Sequence, residues 1–193
     1  MRKIFVAIMA LVFVMMTPLK PLAHESPVDH VDRGIKIWIT GGIIHLSYQL
    51  QLSERAAMMQ LNKMDSDADG IISDRERDAF FAPFSESLAK QLHLQVGEKQ
   101  VEMKPDGAAK LLPQFRQVYR FSGTLGALEK GKHFGKLIDD YSRSYPGAYR
   151  WDGPKNGMSE TGEPIVTVTE APKAVEAAGH PGVLVLKFEV AVP

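Results

Sequence analysis

The stretch that most constrains this chain is Asp65-Ser66-Asp67-Ala68-Asp69-Gly70-Ile71-Ile72-Ser73-Asp74-Arg75-Glu76. Counted from Asp65, carboxylates stand at the first, third, fifth and twelfth positions, with glycine at the sixth and an apolar residue at the eighth. Alternate acids in a tight bend converge on one centre, and four such charges are tolerated there if a hard cation offsets them. Calcium takes about six to eight oxygen donors, and this spacing is the one that supplies them. Asp65, Asp67 and Asp69 are expected to ligate by side chain and Ile71 by its carbonyl. Ser73 is expected to act through a water, and Glu76 through both oxygens. Gly70 is expected to take the positive φ that turns the chain around the ion, and Ile72 to point into the protein. An acidic surface turn is the competing reading, since Asp, Gly and Ser are turn residues in any case.

Good helix formers flank the loop. Ser53 stands at an N-cap position ahead of Glu54 to Leu61, and Ser73 and Asp74 can cap a second helix running to about Gln91. Pro83 is expected to interrupt that second helix, which resumes over Ser85 to Gln91. With its helices the segment resembles an EF-hand, and the resemblance implies Ca²⁺ as the bound ion.

Around this unit the pattern changes from helical to alternating. Gly34 to Ile39 alternates, Thr40-Gly41-Gly42 is a turn, and Ile43 to Leu52 alternates again with Ile44, Leu46, Tyr48, Leu50 and Leu52 on one face. That reads as a hairpin. Further strands are expected at His93 to Val96, Val101 to Met103, Gln114 to Leu125, Lys132 to Tyr141, Ile165 to Glu170 and Val183 to Val192. Tyr145 to Asn156 and Pro172 to Gly182 are expected to be loops. The fold class that follows is α+β: an antiparallel β-sandwich-like domain over residues 24–193, with the helix–loop–helix inserted at about 53–92.

The amino terminus has a different character. Arg2 and Lys3 precede the unbroken apolar run Ile4 to Met16, and a short polar exit ends at Ala23. A bilayer needs about 20 apolar residues, so residues 1–23 read as a secretory signal peptide. The expected address is periplasmic or secreted, with no transmembrane segment in the mature chain. Losing Arg2, Lys3 and Lys20 leaves acids in slight excess, and no basic surface argues for nucleic acid. The chain has no cysteine, which excludes thiol catalysis, zinc–thiolate sites and disulfide staples.

Beyond the loop, other elements point to one family. They are Ala23-His24, the hairpin ending at Leu52, Leu94-Gln-Val-Gly-Glu-Lys-Gln-Val101, and Asp139-Asp-Tyr141 through Tyr145-Pro-Gly-Ala-Tyr-Arg-Trp151. Together they resemble the periplasmic amino-terminal domain of bacterial nickel/cobalt-permease-like membrane proteins, although Glu25 stands where that pattern has proline. The resemblance implies an extracytoplasmic accessory or interaction module whose partner is a membrane transporter or another periplasmic protein.

The alternative is a soluble copper or nickel carrier. His24, if it becomes the mature amino terminus, offers an amine and an imidazole to a nitrogen-seeking metal, and His30, His45, His93, His133 and His180 are the further donors available. None of these forms a close ligand-spaced pair. Asp152 to Glu163 is a degenerate echo of the acidic loop, with Pro154 where a ligand belongs. Met58, Met59 and Met64 are expected to be core packing, and Asp139, Asp140 and Tyr141 offer a carboxylate pair for acid–base work with no nucleophile or cleft to go with it. With no catalytic signature present, no enzymatic activity is expected.

Overall fold

The computed structural model describes residues 31–145, 147–153, 164–177 and 180–193. The expected signal peptide, His24, His30 and most of the loop echo at Asp152 to Glu163 lie outside them.

Chain order begins with β1 (Val31–Thr40) and β2 (Ile43–Leu52), followed by helices α1 (Glu54–Met64) and α2 (Asp74–Ala89). Then come β3 (Leu92–Val96), β4 (Lys99–Val101), the short β5 (Lys104–Pro105) and β6 (Lys110–Leu112), β7 (Arg116–Thr124) and β8 (Gly131–Asp139). A 3-10 turn (Asp140–Arg143), β9 (Tyr149–Trp151), β10 (Ile165–Ala177) and β11 (His180–Val192) complete the described chain. One sheet has the order β5-β7-β2-β1-β9, with β6 also on β7, and the other has the order β10-β11-β8-β3-β4. The class is therefore α+β, with two sheets and, among the described residues, two α-helices that fall between β2 and β3.

Alternation decides the faces. Ile35, Ile37, Ile39, Ile44, Leu46, Tyr48 and Leu50 are buried on the first sheet. From the second, Leu94, Leu137, Leu186, Phe188 and Val190 join the same core. Each large side chain so buried contributes about 1.5–3 kcal/mol. The Gly41-Gly42 turn is a true hairpin, with both glycines at positive φ (57° and 78°) and Thr40 paired to Ile43.

Three expectations need correction. Helix α2 runs through Pro83 rather than breaking there. Proline removes one amide donor from the ladder, but Phe81, Ser85, Leu88 and Ala89 are buried on both sides of it, and that packing holds the two halves in line. The expected loop at Pro172 to Gly182 instead lies in long strand pairing, with Lys173 opposite Val185 and Val175 opposite Val183. Register shifts near Pro172 accommodate a residue that cannot donate to a ladder. Within the expected loop at 145–156, Tyr149–Trp151 pairs parallel to Arg33–Ile35, so the first sheet is not wholly antiparallel. Three residues are too few to show a period, so the pattern hid this strand.

Candidate metal site and the buried ionic cluster

Helix α1 delivers the chain to the acidic loop, and α2 carries it away. Ser53 Oγ accepts from the Ala56 amide at 3.2 Å and starts α1. Ser73 and Glu76 form a reciprocal capping box that starts α2. The loop folds on its own acids. Asp65 accepts the amides of Asp69 (3.1 Å) and Gly70 (2.9 Å), Asp67 accepts that of Asp69 (3.3 Å), and Asp69 accepts that of Ile71 (2.7 Å). Gly70 has φ +81° and Ala68 +58°. The positive φ expected at Gly70 is present, and no atom crowds that position.

The result is partial convergence. Carboxylate oxygens of Asp65, Asp67 and Glu76 all lie within 4.8 Å of one another. Asp69 is not part of that trio; its Oδ1 accepts the Ile71 amide. Ile71 is exposed at 70%, while Ile72 packs against the core as expected. Ser73 is committed to Glu76, giving its hydroxyl to Oε2 at 2.8 Å and its amide to the same oxygen at 3.0 Å. The other Glu76 oxygen crosses the loop to the Ser66 amide (2.7 Å) and hydroxyl (2.9 Å). Hydrogen bonds from Ser73 first, then from Ser66, hold the Glu76 carboxyl down at about 2, so it is ionised at neutral pH. Every donor in the trio is a hard anionic oxygen, which fits calcium or magnesium and not a soft or nitrogen-seeking metal.

Among the described residues, the remaining sequence candidates for which side-chain contacts are seen are not brought together. His45 stacks on Trp38 with ring centroids 5.0 Å apart, His93 lies 3.0 Å from Asp140, and His133 meets the Glu129 carbonyl at 2.7 Å. Met64 is buried, whereas Met58 and Met59 are exposed, contrary to the expectation of core packing for all three. Their positions on α1 follow its outward face, since Ala57 and Met64 take the inward one. Asp139 and Asp140 are no acid–base pair either. Asp140 faces His93 and Arg143 at the surface, and Asp139 is fully buried.

Asp139 belongs to a cluster the sequence did not reveal. Arg33 Nε lies 3.1 Å from its Oδ2, Tyr48 donates to the same oxygen at 2.6 Å and Tyr149 at 3.3 Å. Arg33 also donates to Tyr48 Oη (2.8 Å), to the Val31 carbonyl (2.7 Å) and to the Tyr145 carbonyl. The Ser142 amide donates to Oδ1 of Asp139 at 3.3 Å. Burial pushes the Asp139 carboxyl up, opposed by the Tyr48 hydrogen bond and the Arg33 charge. Burial also works against the Arg33 cation, yet Tyr48 and Asp139 raise its pKa on balance. Among the described residues no buried side-chain polar atom lacks a partner, so the cluster is satisfied throughout. Its chemistry is that of a bolt: Arg33, Tyr48 and Tyr149 come from the first sheet, Asp139 from the second.

Set against known proteins, the chain matches no family model, no curated protein and no solved structure.

Proposed function

We propose that this protein is an exported calcium-binding module in which the ion has a structural role. The observation that carries the reading is the approach of the Asp65, Asp67 and Glu76 carboxylates within 4.8 Å in a loop framed by two capped helices. Left alone, three anions that close, one exposed and two half-buried, repel one another, and a divalent cation removes the repulsion while adding bonds to each. Glu76 lies in the first turn of α2 and Asp65 is the residue on which α1 ends, so an ion held by both ties the helices together at the loop.

The middle stretches of both helices are already anchored. Gln60 pairs with Gln117 at 2.5 Å, and Phe81 and Phe84 meet the Tyr119 ring at 5.9 and 5.4 Å. An ion at the loop would add to the hold that buried Met64, the packed Ile72 and the Ser66–Glu76 hydrogen bonds give there. The signal-peptide pattern at residues 1–23 supports an extracytoplasmic setting, where binding with dissociation constants of about 10⁻⁴–10⁻³ M is sufficient. The resemblance to transporter-linked periplasmic domains supports an accessory role beside a membrane protein rather than catalysis.

Thermal unfolding in calcium and in chelator tests the proposal. The melting temperature is expected to rise with calcium in the wild type and to be indifferent to it in Asp65→Ala. A wild type whose melting is unmoved by either addition contradicts it. At ligand ten times its dissociation constant, linkage stabilises by about 1.4 kcal/mol, enough to read as a shift of a few degrees for a domain of this size.

A further inference from the structure

On the solvent face of the first sheet, two adjacent rungs of the ladder place a run of planar polar side chains side by side. In one rung Gly34 of β1 is opposite Gln49 of β2 and Arg150 of β9. In the next, Gln51 of β2 is opposite both Asp32 of β1 and Arg116 of β7. Residues in register across a sheet share a face, and these side chains, with Gln114, line a concavity of about 310 Å³. That volume lies at the small end of the range for ligand sites, roughly 300–1,000 Å³.

Several features hold the walls in place. Gly34 has no side chain, and a Cβ there would sit 2.4 Å from Oδ2 of Asp152. The Asp152 carboxylate uses that room and grips Arg150 at 2.6 and 3.3 Å, fixing the guanidinium. At the other wall Gln114 and Phe115 both adopt positive φ (61° and 58°), uncommon for residues with a Cβ. That turn is held by Gln51 Nε2 donating to the Gln114 carbonyl at 2.5 Å and by Arg116 Nε donating to that of Pro113 at 3.4 Å. Asp32 accepts the Ala148 amide at 2.9 Å.

Charge decides the ligand class. Arg150 is matched by Asp152, Arg33 by Asp139, and the single charges of Arg116 and Asp32 stand at opposite ends of one rung with Gln51 between them. A balanced site does not select an anion or a cation. Its lining instead offers paired donors and acceptors: three carboxamides that do both, guanidinium forks that donate and a carboxylate that accepts. Vicinal hydroxyls, each of them donor and acceptor, complement such a set. We infer that this concavity is a saccharide-binding site for a single sugar unit, with Arg116 and Gln49 hydrogen-bonding ring hydroxyls.

The inference is independent of the calcium loop, so it is tested in the presence of chelator. Saturation-transfer NMR on the purified full chain, with glucose, galactose, mannose and N-acetylglucosamine as probes and glycerol as an acyclic control, gives the readout. At least one sugar is expected to show saturable binding and glycerol none. Losing a charge-assisted hydrogen bond should weaken that binding roughly tenfold in Arg116→Gln, and Gln49→Ala should weaken it severalfold with melting unchanged. Absence of saturable binding for every sugar at tens of millimolar overturns the inference. So does glycerol binding as well as the sugars, or sugar binding untouched in both variants.

Discussion

Tyr48 of β2 donates a 2.6 Å hydrogen bond to Asp139 at the end of β8, and that contact crosses from one sheet to the other in a space sealed from water. The same carboxylate oxygen receives the Arg33 guanidinium at 3.1 Å, with both side chains at most 1% exposed. A buried pair of this kind need not add stability relative to an apolar one. Removing one partner is different, because it strands the other charge without solvent.

Asp139→Ala is therefore expected to lose about 3–5 kcal/mol, read from urea unfolding. It leaves Arg33 unneutralised and takes the acceptor from Tyr48 and Tyr149. Loss of under 1 kcal/mol would show that the bolt is not what joins the sheets.

Alkaline pH should act on the same region. Burial raises the pKa of Tyr48, Tyr149, Tyr119 and Tyr141 above the usual phenol value of 10.0, with the Asp139 charge adding to the first two. For an acid whose folded pKa is raised, the stabilising share is fully present below the unfolded value and is lost as pH climbs past it. Stability should thus fall above about pH 10, and most tyrosinate absorbance should appear together with unfolding. Smooth ionisation of all the tyrosines near pH 10 in a chain that stays folded would contradict this.

Gly135 is expected to tolerate no side chain. A Cβ there would lie 2.0 Å from the Phe188 ring, which is fully buried against that strand. Gly135→Ala should cost about 1–3 kcal/mol by overpacking, and the double variant with Phe188→Leu should recover part of it. A neutral single variant in denaturant titration would show that the ring can move aside.

Ser66 competes for the proposed ligand. Its hydroxyl and amide occupy Oε1 of Glu76, which must turn to grip an ion with both oxygens. Ser66→Ala frees one of those contacts and is expected to tighten calcium binding by about twofold to tenfold, in line with a net hydrogen bond of about 0.5–1.5 kcal/mol. Weaker binding in calorimetry would make Ser66 a supporter of the site rather than a competitor.

Much of the architecture was legible in the sequence, for physical reasons that vary by element. The hairpin of β1 and β2 was readable because Gly34 to Ile39 and Ile43 to Leu52 alternate on either side of a Gly-Gly turn, although β1 begins earlier, at Val31. Capping residues Ser53 and Ser73 marked the starts of both helices correctly. The Arg33–Asp139 pair was not legible, since 106 positions separate the partners and nothing local distinguishes a buried arginine in an alternating strand from an exposed one. Gly147 offered a signal of a kind: a Cβ there would come within 2.1 Å of the Val31 carbonyl oxygen, and so close a backbone approach is what admits β9 beside β1. In the acidic loop, spacing suggested that Asp65, Asp67 and Glu76 face one centre, and their oxygens do approach within 4.8 Å, but the hydrogen bonds that the loop's acids and Ser73 make within the loop were not legible.

Isothermal titration of the chelator-stripped chain with calcium tests the central claim most directly. One calcium per chain is expected, with binding abolished in Glu76→Gln and unaffected in Asp152→Asn. A flat titration, or one that Glu76→Gln leaves unchanged, would contradict it.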